Sequence, residues 1–241
     1  MIHRLGIEFI PVDESSNSFD RWSNKASVER VPMSGLRQYS GFSTRLFEVT
    51  LVLASSSPIR RQMLEAAGIQ HQAESPELNE AGLKAGLTDP VEIALKLARS
   101  KAEGVSKHRP ADWVIGSDSV ISVAGRIFSK PADRDEAVEH LRLFSGTVMH
   151  LSSAVALARH GAVDWVHVES ASLHVRPLSE KFIQSYLDEE WPDVAYCVGV
   201  FRLEGRGVQL FQWIEGDHFT ILGMPLIALL GALRERELIA S

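Results

Sequence analysis

The sequence predicts an α/β fold: one domain built on a mixed sheet with flanking helices. Three observations carry this. Strand-then-helix units open the regular part of the chain, beginning at Thr50. Later, two long strand-like stretches, His150–Ala158 and Trp165–Val175, follow each other with no helix between them. Finally, 45% of the 241 residues are apolar and 23% charged, the balance of a globular protein with a real core. βα units favour parallel pairing and hairpins are antiparallel, so both in one chain give a mixed sheet.

Taken in order, Thr50-Leu-Val-Leu-Ala54 reads as a short buried strand. Pro58–Ala67 follows as a helix, with Ser57 at the N-cap, Pro58 at the first helical position and Gly68 as the stop. Asp89-Pro90 opens a second helix, whose Ala94, Leu97, Ala98 and Val105 share one face. Trp113–Val123 reads as a strand or the start of a hairpin. Asp133 and Glu136 have capping-box spacing, which starts a third helix that closes at Ser145-Gly146. The two long strands come next, joined by a turn at His160-Gly161. Ser179 begins a helix running to about Glu189. A last pair of strands is expected near Cys197–Leu203 and Val208–Ile214, joined by Glu204-Gly-Arg-Gly207. Pro225 starts the terminal helix, apolar over Leu226–Leu233. Residues 1–48 differ: serine-rich, aperiodic stretches such as Ser15–Ser18 and Ser34–Ser43 read as a weakly ordered extension, or as the product of a mis-assigned start. Residues 49–241 form the functional domain of this reading.

Composition excludes several classes. A net charge of −6 argues against broad binding to nucleic acid, which needs a basic surface. No apolar run approaches the ~18 residues that span a bilayer. The first 26 residues carry Glu8, Asp13, Glu14 and Asp20 and no apolar core, so they read neither as a secretory signal nor as a transit peptide. One cysteine, Cys197, leaves no internal disulfide and suits a reducing cytoplasm. With no base beside it, Cys197 reads as a packing residue.

The chemistry-bearing residues are charged groups in unexpected places. Ala54-Ser-Ser-Ser-Pro-Ile-Arg-Arg61 puts two arginines in the first turn of a helix, where the macrodipole disfavours cations. Helix-start N–H groups, serine hydroxyls and two guanidinium groups would together hold phosphates; a capped helix with solvated arginines is the plain alternative. Lys101 falls on the apolar face of its helix, as a snorkelling stem or as a cation leaning into a cleft. Lys130-Pro131 offers another cation. Asp118 lies inside the apolar β stretch Ile115–Ile121, where an unpaired charge would cost several kcal/mol, on the order expected for a buried ion. Glu80 is a loop acid. Several cations with two carboxylates suit a nucleotide polyphosphate and Mg²⁺. Walker A, G-x-G-x-x-G, H-E-x-x-H and G-x-S-x-G sequences are absent, and the nine histidines show no metal spacing.

Leu53–Arg61, the loop ending at Glu80, Leu97-Ala-Arg-Ser-Lys-Ala102, Ile115-Gly-Ser-Asp-Ser-Val120, Lys130-Pro131, Ser145-Gly146 and Gly223-Met-Pro-Leu226 occur in the order of known family motifs. Over Leu51–Glu237 the chain resembles the Maf family of nucleoside triphosphate pyrophosphatases. The resemblance implies a mixed-sheet fold with a deep cleft, shared in outline with inosine triphosphate pyrophosphatases, and often a homodimer. It implies hydrolysis of an NTP to a nucleoside monophosphate and pyrophosphate with a divalent cation, Mg²⁺ or Mn²⁺. By it, Asp118 is the catalytic proton acceptor and Ser55, Ser57, Arg60, Lys101 and Lys130 bind substrate. Glu80, together with Asp118, holds the metal. Arg60 matches the motif's second arginine and Ile59 its first, so Arg61 is a bystander. Asn79 stands where an Asp is common, which puts a second metal contact in doubt.

Cys197-Val-Gly-Val-Phe-Arg-Leu-Glu-Gly205 looks like the branch that hydrolyses 7-methyl-GTP, rather than the dTTP/UTP branch. Glu204 is the key departure. A 7-methylguanine base carries a positive charge that a carboxylate neutralises and an amide does not; the plain alternative is a turn residue. The expected function is therefore a cytoplasmic pyrophosphatase clearing a modified nucleotide. Its rivals are a dTTP/UTP pyrophosphatase and a non-catalytic nucleotide-binding regulator of septum formation.

Overall fold

The computed structural model describes residues 50–240, so the extension expected over residues 1–48 lies outside the described residues. The regular part starts with β1 (Leu51–Ala54), buried from Val52 onward. After the Ser55–Ser57 loop comes α1 (Pro58–Ala66), which turns Met63 and Leu64 into the core. The chain returns through β2 (Gln72–Glu74), then runs through α2 (Glu80–Lys84) and α3 (Pro90–Ser106) to β3 (Trp113–Val123). A short hairpin adds β4 (Arg126–Phe128), and α4 (Arg134–Phe144) leads into β5 (Val148–Arg159) and β6 (Ala162–Val175). After α5 (Glu180–Glu190) the last elements are β7 (Phe211–Glu215), α6 (His218–Leu222) and α7 (Leu226–Glu235).

Among the described residues these strands form one seven-stranded sheet in the order β2-β1-β3-β5-β6-β7, with β4 also on β3. β2, β1 and β3 are parallel and all other pairs antiparallel, the mixed sheet expected. Strand alternation divides the core. Leu53, Ile115 and Leu157 pack on one face with Met63, Leu64 and Leu229 of α1 and α7. Val52, Ala54, Val114 and Ala156 pack on the other with Ile93, Leu97 and Ala98 of α3. A third cluster, around Leu141, Phe144, Leu173 and Tyr186, joins α4 and α5 to the distal half of the sheet.

Two features of this topology position a site. First, β1 has β2 on one side and β3 on the other, reached over opposite faces, so the strand order reverses at the end of β1. In open α/β sheets ligands bind at the carboxyl ends of strands at such a reversal. Second, β3 is longer than its partners on that side. β1 pairs only with Trp113–Gly116 and β4 only with Ile121–Val123, while β5 runs along the opposite edge throughout. Ser117–Val120 therefore has no strand beside it there. A cavity of about 560 Å³ lies elsewhere, at the other ends of β1 and β3, lined by Leu51, Ile69, Trp113 and Leu230. None of the candidate site residues lines it.

The expected strand pair at the C-terminal end is corrected by the structure. Cys197–Leu203 is not a strand: 3-10 turns at Asp193–Tyr196 and Arg206–Leu210 flank a curled segment, and β7 pairs with β6. Glycines explain the curl. A Cβ on Gly207 would meet the Arg202 carbonyl oxygen at 2.5 Å, and one on Gly199 would meet Ile121 Cδ1 at 2.6 Å, so the backbone folds closely onto its neighbours. Val200 holds a left-handed φ of 54°, and its carbonyl accepts from Tyr186 Oη at 2.9 Å instead of from a strand. Glu80 is also not a loop residue, since it begins α2. Among the described residues no helix is long and apolar enough to cross a membrane.

Candidate active site

Asp118 sits in the middle of the open edge of β3 and is 9% exposed. Lys101 reaches it from α3, whose apolar periodicity carries the lysine onto the buried side with Leu97, Ala98 and Val105. The approach depends on Gly116, where a Cβ would lie 2.2 Å from the Ala98 carbonyl oxygen and 2.6 Å from the Ala102 nitrogen. Helix and strand therefore touch backbone to backbone, one turn from Lys101. Lys101 Nζ lies 2.5 Å from Asp118 Oδ1 and 2.8 Å from Glu80 Oε1, so a single ammonium joins both carboxylates.

Glu80 is brought there by α2, which Asn79 caps by accepting from the Gly82 N–H at 3.1 Å. Asn79 thus acts as a helix cap. Burial acts to raise the Glu80 carboxyl, but contacts with Lys101 and Lys84 outweigh it and hold the group below its ordinary range. Lys84 Nζ is 3.5 Å from the other Glu80 oxygen.

Arg60 approaches from the opposite face. Its Nε donates to the Gly223 carbonyl at 2.8 Å and its Nη2 to Ser119 Oγ at 3.0 Å, while Nη1 makes a long contact of 3.5 Å with Ser55 Oγ. Burial pulls its guanidinium below the ordinary value, against the nearby charges of Asp118 and Glu80. Ser55 is buried and its Oγ accepts from the Ser57 N–H at 3.1 Å, which tightens the loop before α1. Ser57 occupies the N-cap position, but its hydroxyl makes no capping bond, so the first N–H groups of α1 are left without a side-chain cap. Arg61 is exposed, in keeping with a bystander role.

Sequence reasoning did not identify the hub that holds Arg60. The Gly223 carbonyl accepts from Arg60 Nε, Ser117 Oγ at 3.0 Å and Ser119 Oγ at 3.1 Å. Ser119 also shares a 2.8 Å bond with Ser153. Gly223 sits in a left-handed conformation, φ 115°, as the C-cap of α6, whose N-cap Asp217 accepts from the Phe219 and Thr220 N–H groups.

Lys130 and Glu204 stand apart from this cluster. Both are exposed, and among the described residues neither holds a hydrogen bond or ion pair. They share the neighbourhood of Cys197: burial and the Glu204 charge push its thiol up to about 11, while Arg202 and Lys130 pull it down. A thiol held up in this way is a weak nucleophile, in keeping with the packing role expected of Cys197. Arg60, Lys101, Asp118 and Glu80 thus gather at the β3 edge, while Lys130 and Glu204 share a separate neighbourhood around Cys197.

The chain is 48% identical over 189 residues to a 7-methyl-GTP pyrophosphatase of Rhizobium etli, covering 77% of this chain and 95% of that protein. Identity to the protein of the same name from Rhizobium meliloti is 44%, with the same coverage. A nucleoside triphosphate pyrophosphatase of Bradyrhizobium diazoefficiens is 43% identical over 192 residues, covering 79% of this chain and 95% of that protein. Among solved structures, a nucleoside-triphosphatase / dITP/XTP pyrophosphatase from Mycobacterium abscessus is similar at 18% identity, over 54% of this chain and 76% of that one, with a TM-score of 0.33. Residues 50–236 match the family described as Maf-like protein, and the chain belongs to that family.

Proposed function

We infer that the protein is a nucleoside triphosphate pyrophosphatase, hydrolysing an NTP to a nucleoside monophosphate and pyrophosphate. The observation that carries this is the Lys101 bridge between Glu80 and Asp118, facing Arg60 across the one open stretch of the β3 edge. A triphosphate lying in that opening has a guanidinium on one side and an ammonium on the other. The uncapped N–H groups of α1 stand at one end of it.

The donor set also fits a divalent cation. Glu80 and Asp118 both reach the Lys101 ammonium, so a cation there would be held by two carboxylates beside it, with no third His, Cys, Asp or Glu gathered among the described residues. Mg²⁺ is usually held by one or two carboxylates and completes its shell with phosphate oxygens and water. Glu80 and Asp118 would hold it, and its chemistry there would be neutralisation of the leaving pyrophosphate. In the hydrolytic step, water oxygen bonds to one phosphorus of the α–β anhydride as the bridging P–O bond breaks. Asp118 accepts the water proton, and Arg60 and Lys101 stabilise charge gathering on the phosphoryl oxygens.

Glu204 and the names of the relatives support a cationic base such as 7-methylguanine in preference to thymine or uracil. The nucleotide substrate and single cysteine support a cytoplasmic site of action. An NTP panel with pyrophosphate detection tests the reading. Turnover is expected with Mg²⁺, lost on chelation and restored by the metal. Asp118→Asn should lower kcat about a hundredfold or more, the scale of a lost general base. Pyrophosphate release unchanged in Asp118→Asn, or absent with every nucleotide, overturns the assignment. The second of these outcomes favours a non-catalytic nucleotide-binding regulator.

A further inference from the structure

Glu204 stands at the tip of a tight turn, and the turn is tied down by charges that the catalytic reading leaves unused. Glu190, the last residue of α5, is 6% exposed. A carboxylate at a helix C-terminus is disfavoured by the macrodipole, and burying it adds a desolvation cost. Both costs are offset by the turn. Arg202 places Nε at 3.2 Å and Nη2 at 3.1 Å from Glu190 Oε2, a two-pronged contact, and the Arg206 N–H donates to Glu190 Oε1 at 3.4 Å. Arg202 Nη1 reaches Asp193 at 2.8 Å, and Arg206 pairs with Glu189.

The turn is closed by the Gly205 N–H donating to the Arg202 carbonyl at 3.2 Å, and Gly207 packs directly on the Arg202 backbone. Both arginines flanking Glu204 are thereby engaged by carboxylates of α5 and the following 3-10 turn. Arg202 feels the Glu204 charge, but its hydrogen bonds go to Glu190 and Asp193, and Arg206 pairs with Glu189, so neither arginine makes a direct ion pair with Glu204. Around the turn, Glu189, Glu190, Asp193 and Glu204 stand against Arg202, Arg206 and Lys130, which leaves the neighbourhood of Glu204 net negative.

We propose that Glu190 is a positioning residue for base selection: through Arg202 and the Arg206 N–H it fixes the turn that presents Glu204 to a cationic nucleobase. This rests on the pyrophosphatase reading and adds to it a residue that never touches substrate. Removing the Glu190 charge frees Arg202 to swing toward Glu204 and neutralise it. The loss then falls on the charged base and not on the triphosphate.

The test compares KM and kcat for 7-methyl-GTP and GTP in wild type, Glu190→Gln, Glu204→Gln and the double variant, with thermal melting of each. Glu190→Gln is expected to lower the 7-methyl-GTP to GTP selectivity about tenfold through KM, the scale of one charge-assisted contact. In the Glu204→Gln background it should have no further effect on selectivity, because the group it positions is already gone. Equal loss for both nucleotides, or a selectivity loss additive with Glu204→Gln, overturns the proposal. Should Glu190→Gln not fold, Arg202→Lys keeps the charge and loses the two-pronged contact; unchanged selectivity in that variant also overturns it. Wild type that releases no pyrophosphate from either nucleotide fails the underlying reading instead. Wild type that hydrolyses both with equal KM fails the base assignment.

Discussion

At the scale of single residues, the legible chemistry was charge out of place. Lys101 on an apolar helix face and Asp118 in an apolar strand stand out from sequence because burying either alone is costly, and the structure joins them at 2.5 Å. The hub at Gly223 had no such signal. Hydroxyls and a backbone carbonyl look alike anywhere in a sequence, and the Arg60–Gly223 bond closes a separation of 163 residues. A different buried group sets a pH response. His140 lies under Phe128 and Phe144 with Nδ1 unpartnered, and burial holds its imidazole below the ordinary 6.5 against the raising charges of Glu136 and Glu139. The unfolded chain takes up this proton more readily than the folded one, so folded stability present above 6.5 falls as pH drops through and below it. His140→Leu should therefore gain on wild type in urea unfolding as the buffer moves from pH 7 to pH 5. A stability difference that stays flat across that range refutes the assignment.

At the scale of elements, those with a clear period were found where the pattern put them. α3, α4 and α5 begin at side-chain caps, Asp89, Asp133 and Ser179, and the β5–β6 turn falls at His160-Gly161 with both residues at positive φ. β2, α2 and α6 are three to five residues long, too short to show a helical or strand period. The curled segment after α5 was misread because Val198, Val200 and Phe201 suit a strand, whereas the glycines between and after them serve close packing. The contact that matters most at this scale is α3 on β3. Gly116→Ala would drive a methyl group into the Ala98 carbonyl and the Ala102 nitrogen, both backbone atoms that cannot rotate away. We expect a loss of about 3 kcal/mol in urea unfolding, with weaker turnover as Lys101 withdraws from Asp118. A variant of undiminished stability would show that the two elements tolerate separation.

At the scale of the whole molecule, the sequence indicated a mixed sheet but not where it opens. That follows from pairing lengths: four residues of β3 taken by β1, three by β4, and Ser117–Val120 left between them. Sheet edges elsewhere in proteins are shielded against unwanted pairing. Here Lys101 on one face and Arg60 on the other flank the gap. The gap also makes site occupancy visible without any reaction. Strand amides alternate in direction, so some of those in Ser117–Val120 point into the opening with no strand acceptor. In deuterium exchange they should lose protection sooner than their neighbours Ile115 and Ile121. A non-hydrolysable nucleotide should then slow them selectively, marking the bound state on the backbone itself.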